Sequence, residues 1–135
     1  MTLCVCLDNQ NGMHFNHRRQ SRDRVLYERL VAHCRDGGRL FIREDARILF
    51  PTASVTVLPD MAALPETTER DILFSEALSF LPPKDIIDRL IVYRWNRDYP
   101  SDCRFPLADY ALVLCEKSDF VGFSHEKITE EVYRR

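Results

Sequence analysis

The 135-residue sequence has the length of one folded domain and is too short for two domains with separate cores. Its content of 45% hydrophobic and 30% charged residues is ordinary for a globular protein. The formal net charge of −2 excludes a general attraction to nucleic acid, and no apolar stretch approaches the roughly 20 residues that span a bilayer. Because the chain opens into a strand-like run without a signal-peptide pattern, we expect a single cytoplasmic domain over residues 1–135.

The first third of the chain predicts a strand, a turn, a basic loop and a helix. Residues 3–7 form an uninterrupted apolar run, which is typical of a buried central strand. A turn follows at residues 8–12. From Ser21 the apolar side chains recur with the period of an amphipathic helix, for which Ser21 is the predicted N-cap. The pair Gly37-Gly38 predicts the end of that helix.

The rest of the chain predicts short strands joined by turns. The predicted strands are residues 39–42, 54–58, 72–74, 90–93, 110–114 and 128–133. A weak helical turn is expected over 46–50, and residues 61–70 read as a connector. A strand, a helix and a strand followed by strands with hairpin-like links predict an α/β fold with a mixed sheet and flanking helices.

The five cysteines predict reduced and mostly buried thiols. Their number is odd, they contain no Cys-x-x-Cys pair, and Cys4 and Cys6 lie on one face of a strand where they are poorly placed for a disulfide. His14 and His17 have the spacing His-x-x-His, which by itself is a weak signal for zinc. No metal ligands are therefore assigned.

Residues 14–24, here called the basic loop, hold four arginines, two histidines and one aspartate in eleven positions. Free backbone N–H groups at a helix N-terminus attract anions, and arginine adds planar donors suited to phosphate or carboxylate. One interpretation is a clamp for an anionic ligand, and the other is a solvated loop whose arginines pair with acids elsewhere. The ligand-binding candidates in it are His17, Arg18, Arg19, Gln20, Ser21 and Arg22.

Two further groups carry candidate site residues. Arg94 and Trp95 follow a predicted strand, and an arginine beside an aromatic ring suits stacking on a planar ligand. The other interpretation, which the frequency of such aromatics in cores favours, is that Trp95 covers the edge of the sheet. His125 has a side chain suited to acid–base catalysis and is a catalytic candidate. A surface histidine beside a capping Ser124 explains the same residues equally well.

A series of short motifs runs along most of the chain. They are Asp8, Gly12-Met13, Asp23, Asp88–Arg94 (Asp-Arg-Leu-Ile-Val-Tyr-Arg), Asp102–Pro106 (Asp-Cys-Arg-Phe-Pro) and the ending Ser124–Arg135. In this order they resemble the dihydrofolate reductase family. The resemblance implies the fold of that family, and an activity that reduces a pterin with NADPH.

The resemblance also implies roles for three residues. A buried carboxylate at the place of Asp23 holds the amino edge of the pteridine in that family and helps to protonate the ring. Tyr27 stands where the family has a phenylalanine that packs on the substrate, and Tyr93 stands at a substrate-side threonine. The residues themselves leave another interpretation of Asp23 open, which is an acid in the first helical turn, held ionised by Arg22 or Arg24.

The cofactor half of the family pattern is altered. Arg43–Ala46 replaces the Gly-Arg-x-Thr that meets the NADPH phosphates, and Ser75-Glu76 replaces a glycine pair that lets the backbone approach the nicotinamide. The segment 59–71 is too short for the family's helix and strands on that side. We therefore predict a dihydrofolate-reductase-like fold that is reduced in its cofactor-binding half, and we leave the cofactor unassigned.

Three functional hypotheses follow. The first is a protein that binds an anionic or phosphorylated small ligand at the basic loop without the usual NADPH grip. The second is an active reductase with NADPH and a pterin, in which Asp23 is the proton donor or substrate anchor. The third is an interaction module for an acidic protein partner. The string at residues 16–24 is also similar to a loop of short bacterial proteins labelled ribonuclease Z, but the sequence lacks that enzyme's His-x-His-x-Asp-His metal motif.

Overall fold

A seven-stranded mixed sheet organises the molecule, and a smaller sheet of three strands lies beside it. The structure is a computed structural model that describes all residues 1–135. The strands are β1 Thr2–Leu7, β2 Gly12–Phe15, β3 Arg18–Arg19, β4 Leu40–Ile42, β5 Thr56–Val57, β6 Ile72–Phe74, β7 Arg89–Arg94, β8 Cys103–Arg104, β9 Val113–Phe120 and β10 Ile128–Arg134. The α-helix α1 is Arg24–Ala32, and short 3₁₀ helices cover Glu44–Leu49, Met61–Ala63, Lys84–Ile86 and Leu107–Tyr110.

The order of the large sheet is β5-β4-β6-β1-β7-β10-β9. The strands β5, β4, β6, β1 and β7 are parallel to one another, whereas β10 runs antiparallel to both β7 and β9. The small sheet has the antiparallel order β3-β2-β8. The predicted α/β fold with a mixed sheet is confirmed. Its single α-helix has nine residues, and none of the helices is long and apolar enough to cross a membrane.

The core lies on both faces of β1, which explains the uninterrupted apolar run of this strand. Alternate residues of a strand point to opposite faces. Cys4 therefore belongs to the cluster under α1, together with Leu26 and Leu30, while Leu3 and Val5 belong to the cluster on the other face. All five of these side chains are fully buried.

The structure corrects two predictions for the basic loop and the helix. Residues 14–19 are not an open loop but the hairpin of β2 and β3, which pairs His14 with Arg19. The helix begins at Arg24, and its N-cap is Asp23 rather than Ser21. Asp23 has the extended backbone of a cap, and its carboxylate accepts the backbone N–H of Val25 at 3.0 Å. Such a bond is stronger with a charged acceptor than with a hydroxyl, so the aspartate takes the cap position.

Two element boundaries also differ from the predictions, and one strand was not predicted. The helix ends at Ala32, before the glycine pair, and the chain then turns through Gly37 with a φ of +81°. The predicted strand 110–114 begins as the end of a 3₁₀ helix, and the real strand is β9, which continues to Phe120. The short strand β8 was not predicted, because a two-residue strand carries no alternation pattern.

A buried carboxylate connects α1 to the large sheet. Glu130 on β10 accepts a hydrogen bond from the Tyr93 hydroxyl at 2.8 Å, from Arg29 Nε at 3.0 Å and lies 3.0 Å from His33 Nε2. Burial raises the pKa of this carboxyl, but the hydrogen bonds from His33, Arg29 and Tyr93 outweigh burial and lower the pKa to about 2. Tyr93 therefore has a partner within the core.

We predict that Tyr93→Phe lowers the free energy of unfolding by about 1–2 kcal/mol, because it leaves one side of a buried carboxylate without its donor. Urea unfolding measures the change. Tyr99→Phe is the matched control, since the Tyr99 side chain is only half-buried and should change stability by less than about 0.5 kcal/mol. Equal effects of the two substitutions would contradict the structural role of Tyr93.

Candidate functional site

A cleft with a volume of about 650 Å³ lies beyond the carboxyl ends of β4 and β6. The hairpin of β2 and β3 forms one of its walls. Its ionisable lining residues are His14, His17, Arg18, Arg19, Arg43, Asp45 and Glu76, and apolar side chains such as Phe74 and Phe80 complete the surface. The cleft thus gathers cations from the hairpin and from the end of β4 in one place.

Arg19 joins the walls of the cleft. Its Nε donates to Glu76 Oε2 at 2.8 Å, and its Nη2 donates to Glu76 Oε1 at 2.9 Å and to the backbone oxygen of Asp45 at 2.9 Å. The pair is only about a quarter exposed on either side. Arg19 is therefore an arginine of the basic loop that pairs with an acid distant in sequence, which is the second of the two interpretations of the loop.

Arg18 and Arg43 face the cleft without such a partner. The guanidinium of Arg18 is exposed and donates to no acceptor in the protein. Arg43 Nε lies 3.9 Å from Asp45 Oδ1, beyond hydrogen-bond distance, and its guanidinium lies 5.9 Å from the centre of the Phe80 ring. These two side chains are therefore free to bind an anion.

Two histidines extend the cationic side of the cleft. The rings of His14 and His17 are stacked with centres 6.0 Å apart. His14 Nδ1 lies 3.3 Å from Asp102 Oδ1 but has no hydrogen-bond partner of suitable geometry, although it is buried. The structure contains no group of three or more histidine, cysteine, aspartate or glutamate residues that could hold a metal ion.

Asp23 lies buried at the N-terminus of α1, and both of its oxygens are occupied. Oδ1 accepts the backbone N–H groups of Val25 at 3.0 Å and Phe123 at 2.9 Å. Oδ2 accepts the backbone N–H of Ser124 at 3.0 Å and lies 2.8 Å from His125 Nδ1. Burial raises the pKa of Asp23, but these backbone and His125 hydrogen bonds outweigh it and lower the pKa to about 2.

The loop between β9 and β10 reaches Asp23 because it carries Gly122. A Cβ at this position would lie 2.5 Å from Asp23 Oδ2 and 2.9 Å from Ile128 Cδ1. Real carbon atoms do not approach a carboxylate so closely. Only glycine therefore allows this loop to place its N–H groups on the carboxylate.

His125 lies between Asp23 and Ser21. Its Nδ1 contacts the carboxylate, and its Nε2 lies 2.9 Å from Ser21 Oγ. The ring of the buried Trp95 covers the imidazole at a centre-to-centre distance of 4.8 Å. The structure thus brings together four residues that the sequence singled out, of which Asp23, His125 and Ser21 form a hydrogen-bonded chain from a carboxylate to a hydroxyl.

Tyr27 packs inside the protein against two other aromatic rings. Its ring meets Phe50 and Phe74 edge-to-face, with centres 5.5 Å and 5.9 Å apart, and the latter two rings are 5.5 Å apart. All three side chains are buried. Aromatic rings of the protein therefore fill the space beside α1.

The remaining candidates make contacts within the fold. Gln20 Nε2 donates to Asp8 Oδ2 at 3.0 Å and so anchors the end of the hairpin. Arg94 donates from Nε to Glu131 Oε1 at 3.1 Å and from Nη1 to Asn11 Oδ1 at 2.6 Å. Tyr93 bonds to Glu130, as described above, and Arg22 is exposed. None of these four side chains except Gln20 lines one of the clefts beside the hairpin.

Sequence reasoning missed Arg43 and Glu76 as cleft residues and the loop at residues 122–124 as the cover of Asp23. A signal was present for the first two. Arg43 and Glu76 lie in the two stretches in which the sequence departs from the pattern of the resembling family.

The comparisons with known proteins support the fold. The structure is similar to that of a dihydrofolate reductase from Enterococcus faecalis complexed with NADP(H) and RAB-propyl, with a TM-score of 0.67 and 11% sequence identity over 99% of this chain and 95% of that chain. No protein-family model and no curated protein matches the sequence. The chain therefore has a dihydrofolate-reductase-like fold, as its motifs predicted, and a likeness at this identity shows the fold alone.

The stretches in which the sequence differs from the motifs of the resembling family line the cleft. They contribute two carboxylates to it, those of Asp45 and Glu76. Glu76 is paired with Arg19 through two hydrogen bonds.

We predict that Gly122→Ala destabilises the protein by about 1–3 kcal/mol, because the added methyl group forces the loop off Asp23. Denaturant unfolding measures the loss. Val121→Ala in the same loop is the control, since Val121 is 74% exposed. A Gly122→Ala protein as stable as the wild type would show that the loop does not hold the carboxylate closely.

We predict that stability falls in acid as Asp23 and Glu130 take up protons. Both have a pKa of about 2 in the folded protein, whereas unfolded aspartate and glutamate titrate near pH 4. Their contribution is therefore complete above about pH 5 and disappears as the pH falls towards 2, with a loss on the order of 2 kcal/mol for each.

Urea unfolding between about pH 7 and pH 3 tests this dependence. Asp23→Asn should flatten the curve over this range, whereas Asp98→Asn, at an exposed position, should leave its slope unchanged. A wild-type free energy of unfolding that does not fall below about pH 4 would contradict the prediction.

Proposed function

We propose that the protein binds a small anionic or phosphorylated ligand in the cleft between the hairpin and the ends of β4 and β6. One observation carries this proposal. Arg18 and Arg43 come from different elements, face the same cleft and have no hydrogen-bonded acceptor within the protein. Guanidinium groups are suited to bind phosphate or carboxylate with two parallel hydrogen bonds.

The charges around these arginines support a ligand of negative charge. Glu76 is neutralised by Arg19 in a two-pronged pair, so that it opposes an incoming anion less than a free carboxylate would. Arg18 forms no ion pair within the protein, and the only carboxylate within 4 Å of the Arg43 guanidinium is that of Asp45. The imidazole of the neighbouring His17 lines the same cleft. An anion bound between them would relieve the repulsion of like charges.

The position of the cleft also supports a binding role. In open α/β sheets, ligands commonly bind in crevices beyond the carboxyl ends of parallel strands. Here β4 and β6 are parallel neighbours, and the residues that follow them, Arg43 and Glu76, line the cleft. Its volume of about 650 Å³ lies in the range of small-molecule sites.

The second candidate is a reductase that uses NADPH and a pterin. The fold favours it, since the similar solved structure is a dihydrofolate reductase complexed with NADP(H). Two contacts oppose it: Asp23 has both oxygens occupied, and Tyr27 packs against aromatic rings of the protein. Asp23 would have to exchange bonds within the fold to hold a pterin.

We predict that inorganic pyrophosphate binds saturably to the wild-type protein in isothermal titration calorimetry. Arg18→Ala and Arg43→Ala should each weaken binding about 10-fold or more, because each removes a charge-assisted hydrogen-bond donor. Arg97→Ala is the matched control, since Arg97 is exposed and does not line the cleft, and it should leave the affinity unchanged.

Other outcomes would favour the other hypotheses. Absence of pyrophosphate binding, or equal weakening by Arg97→Ala, overturns the proposal. Saturable binding of NADPH with turnover of dihydrofolate that Asp23→Asn abolishes would establish the reductase. Retention on an acidic peptide column that requires Arg18, Arg19 and Arg22, without binding of any small anion, would establish an interaction module.

A further inference from the structure

We infer that Ser21, His125 and Asp23 form a nucleophilic site for acyl transfer, with Ser21 as nucleophile and His125 as general base. The substrate class is a carboxylic ester or thioester. Neither the fold nor the proposed anion site requires this activity, and Ser21 does not line the large cleft.

The geometry is that of a serine–histidine–aspartate triad. Ser21 Oγ lies 2.9 Å from His125 Nε2, and His125 Nδ1 lies 2.8 Å from Asp23 Oδ2. The two ring nitrogens thus face a hydroxyl on one side and a carboxylate on the other. The triad is recognised by this arrangement rather than by the order of its members in the chain, so a serine and an aspartate two positions apart do not exclude it.

The hydrogen-bond partners of His125 determine which of its ring nitrogens carries the proton. Asp23 can only accept when ionised, and its low pKa keeps it ionised at neutral pH. In the neutral form of the His125 ring, donation to Asp23 places the proton on Nδ1 and presents the lone pair of Nε2 to Ser21. This is the tautomer that a general base needs.

The surroundings hold the imidazole in place. His125 is 7% exposed, and the ring of Trp95 lies 4.8 Å from it. Asp23 is in turn held by the backbone N–H groups of Phe123 and Ser124. An aligned nucleophile and base on a rigid support are the first requirement for this chemistry.

Ser21 is the exposed end of the chain of hydrogen bonds. Ser21 is only partly buried, whereas His125 and Asp23 are buried, so Ser21 is the most solvent-accessible of the three residues. The backbone N–H groups of Ser21 and Arg22 donate to no acceptor in the protein. They are the candidate donors for the oxyanion that forms on the substrate carbonyl.

The reaction balances with water as the only co-reactant. Ser21 Oγ attacks the acyl carbon while its proton passes to His125 Nε2, and the tetrahedral intermediate expels the alcohol or thiol, which takes that proton. The acyl group is then bonded to Ser21. Water attacks the same carbon, His125 takes its proton, and the proton returns to Ser21 as the carboxylic acid leaves.

A fluorophosphonate probe tests the inference on the full chain, since it bonds covalently to activated serines. Intact-mass and peptide mass spectrometry should show one adduct on Ser21. We expect at least a 100-fold slower labelling in Ser21→Ala and in His125→Gln, and an unchanged rate in Ser54→Ala. Ser54 is an exposed serine that makes no hydrogen bond with its side chain, so its loss is a matched deletion of one hydroxyl.

Three results would overturn the inference. They are an unlabelled Ser21 under conditions that fully label a serine hydrolase, an adduct on Ser124 in place of Ser21, and labelling of Ser21 that His125→Gln does not slow. Circular dichroism of each variant reports folding. If His125→Gln does not fold, the comparison of Ser21→Ala with Ser54→Ala and the location of the adduct decide the matter.

Asp23 acts through His125 and is a positioning residue. ¹⁵N NMR of the histidine rings distinguishes the tautomers and reports on this role separately from stability. The Nδ1-protonated form is expected for His125 in the wild type, and Asp23→Asn should change it, with labelling slowed about 10-fold or more. A wild-type His125 that carries its proton on Nε2 would overturn the assignment of the base.

Discussion

The rest of this site depends on the Asp23 carboxylate, which accepts hydrogen bonds from four separate donors. It caps α1 through Val25, it fastens the loop between β9 and β10 through Phe123 and Ser124, and it orients His125. These parts of the chain are about 100 residues apart in sequence. One buried charge therefore fixes where the helix starts, where the loop lies and how an imidazole is aligned.

The same bonds leave the Asp23 carboxylate without an oxygen free for a ligand, since donors of the protein occupy both. Phe50 and Phe74 close the neighbouring space around Tyr27. The arginines that line the cleft and Ser21 are less buried than these side chains. The topology of the sheet does not by itself determine the chemistry at its edge, because one fold can host many functions.

The elements that could be predicted are those with a strong local pattern. β1, β6, β7 and β10 were predicted from their apolar runs, and α1 from its helical period, because burial selects side chains that repeat along the chain. The fold of the resembling family followed from the order of short motifs. The hairpin of β2 and β3 escaped prediction, since its exposed arginines carry no alternation and its pairing depends on β8, some 90 residues later.

The sequence by itself determined the fold class, the buried strands, the concentration of cations at residues 14–24 and the identity of Asp23 and His125 as candidates. Only the tertiary structure decided how these groups combine. It paired Arg19 with Glu76 across 57 residues and Ser21 with His125 across 104. A hydrogen bond forms only when donor and acceptor lie about 3 Å apart. Which distant residues come that close depends on how the sheet and the loops fold, and no local sequence pattern shows it.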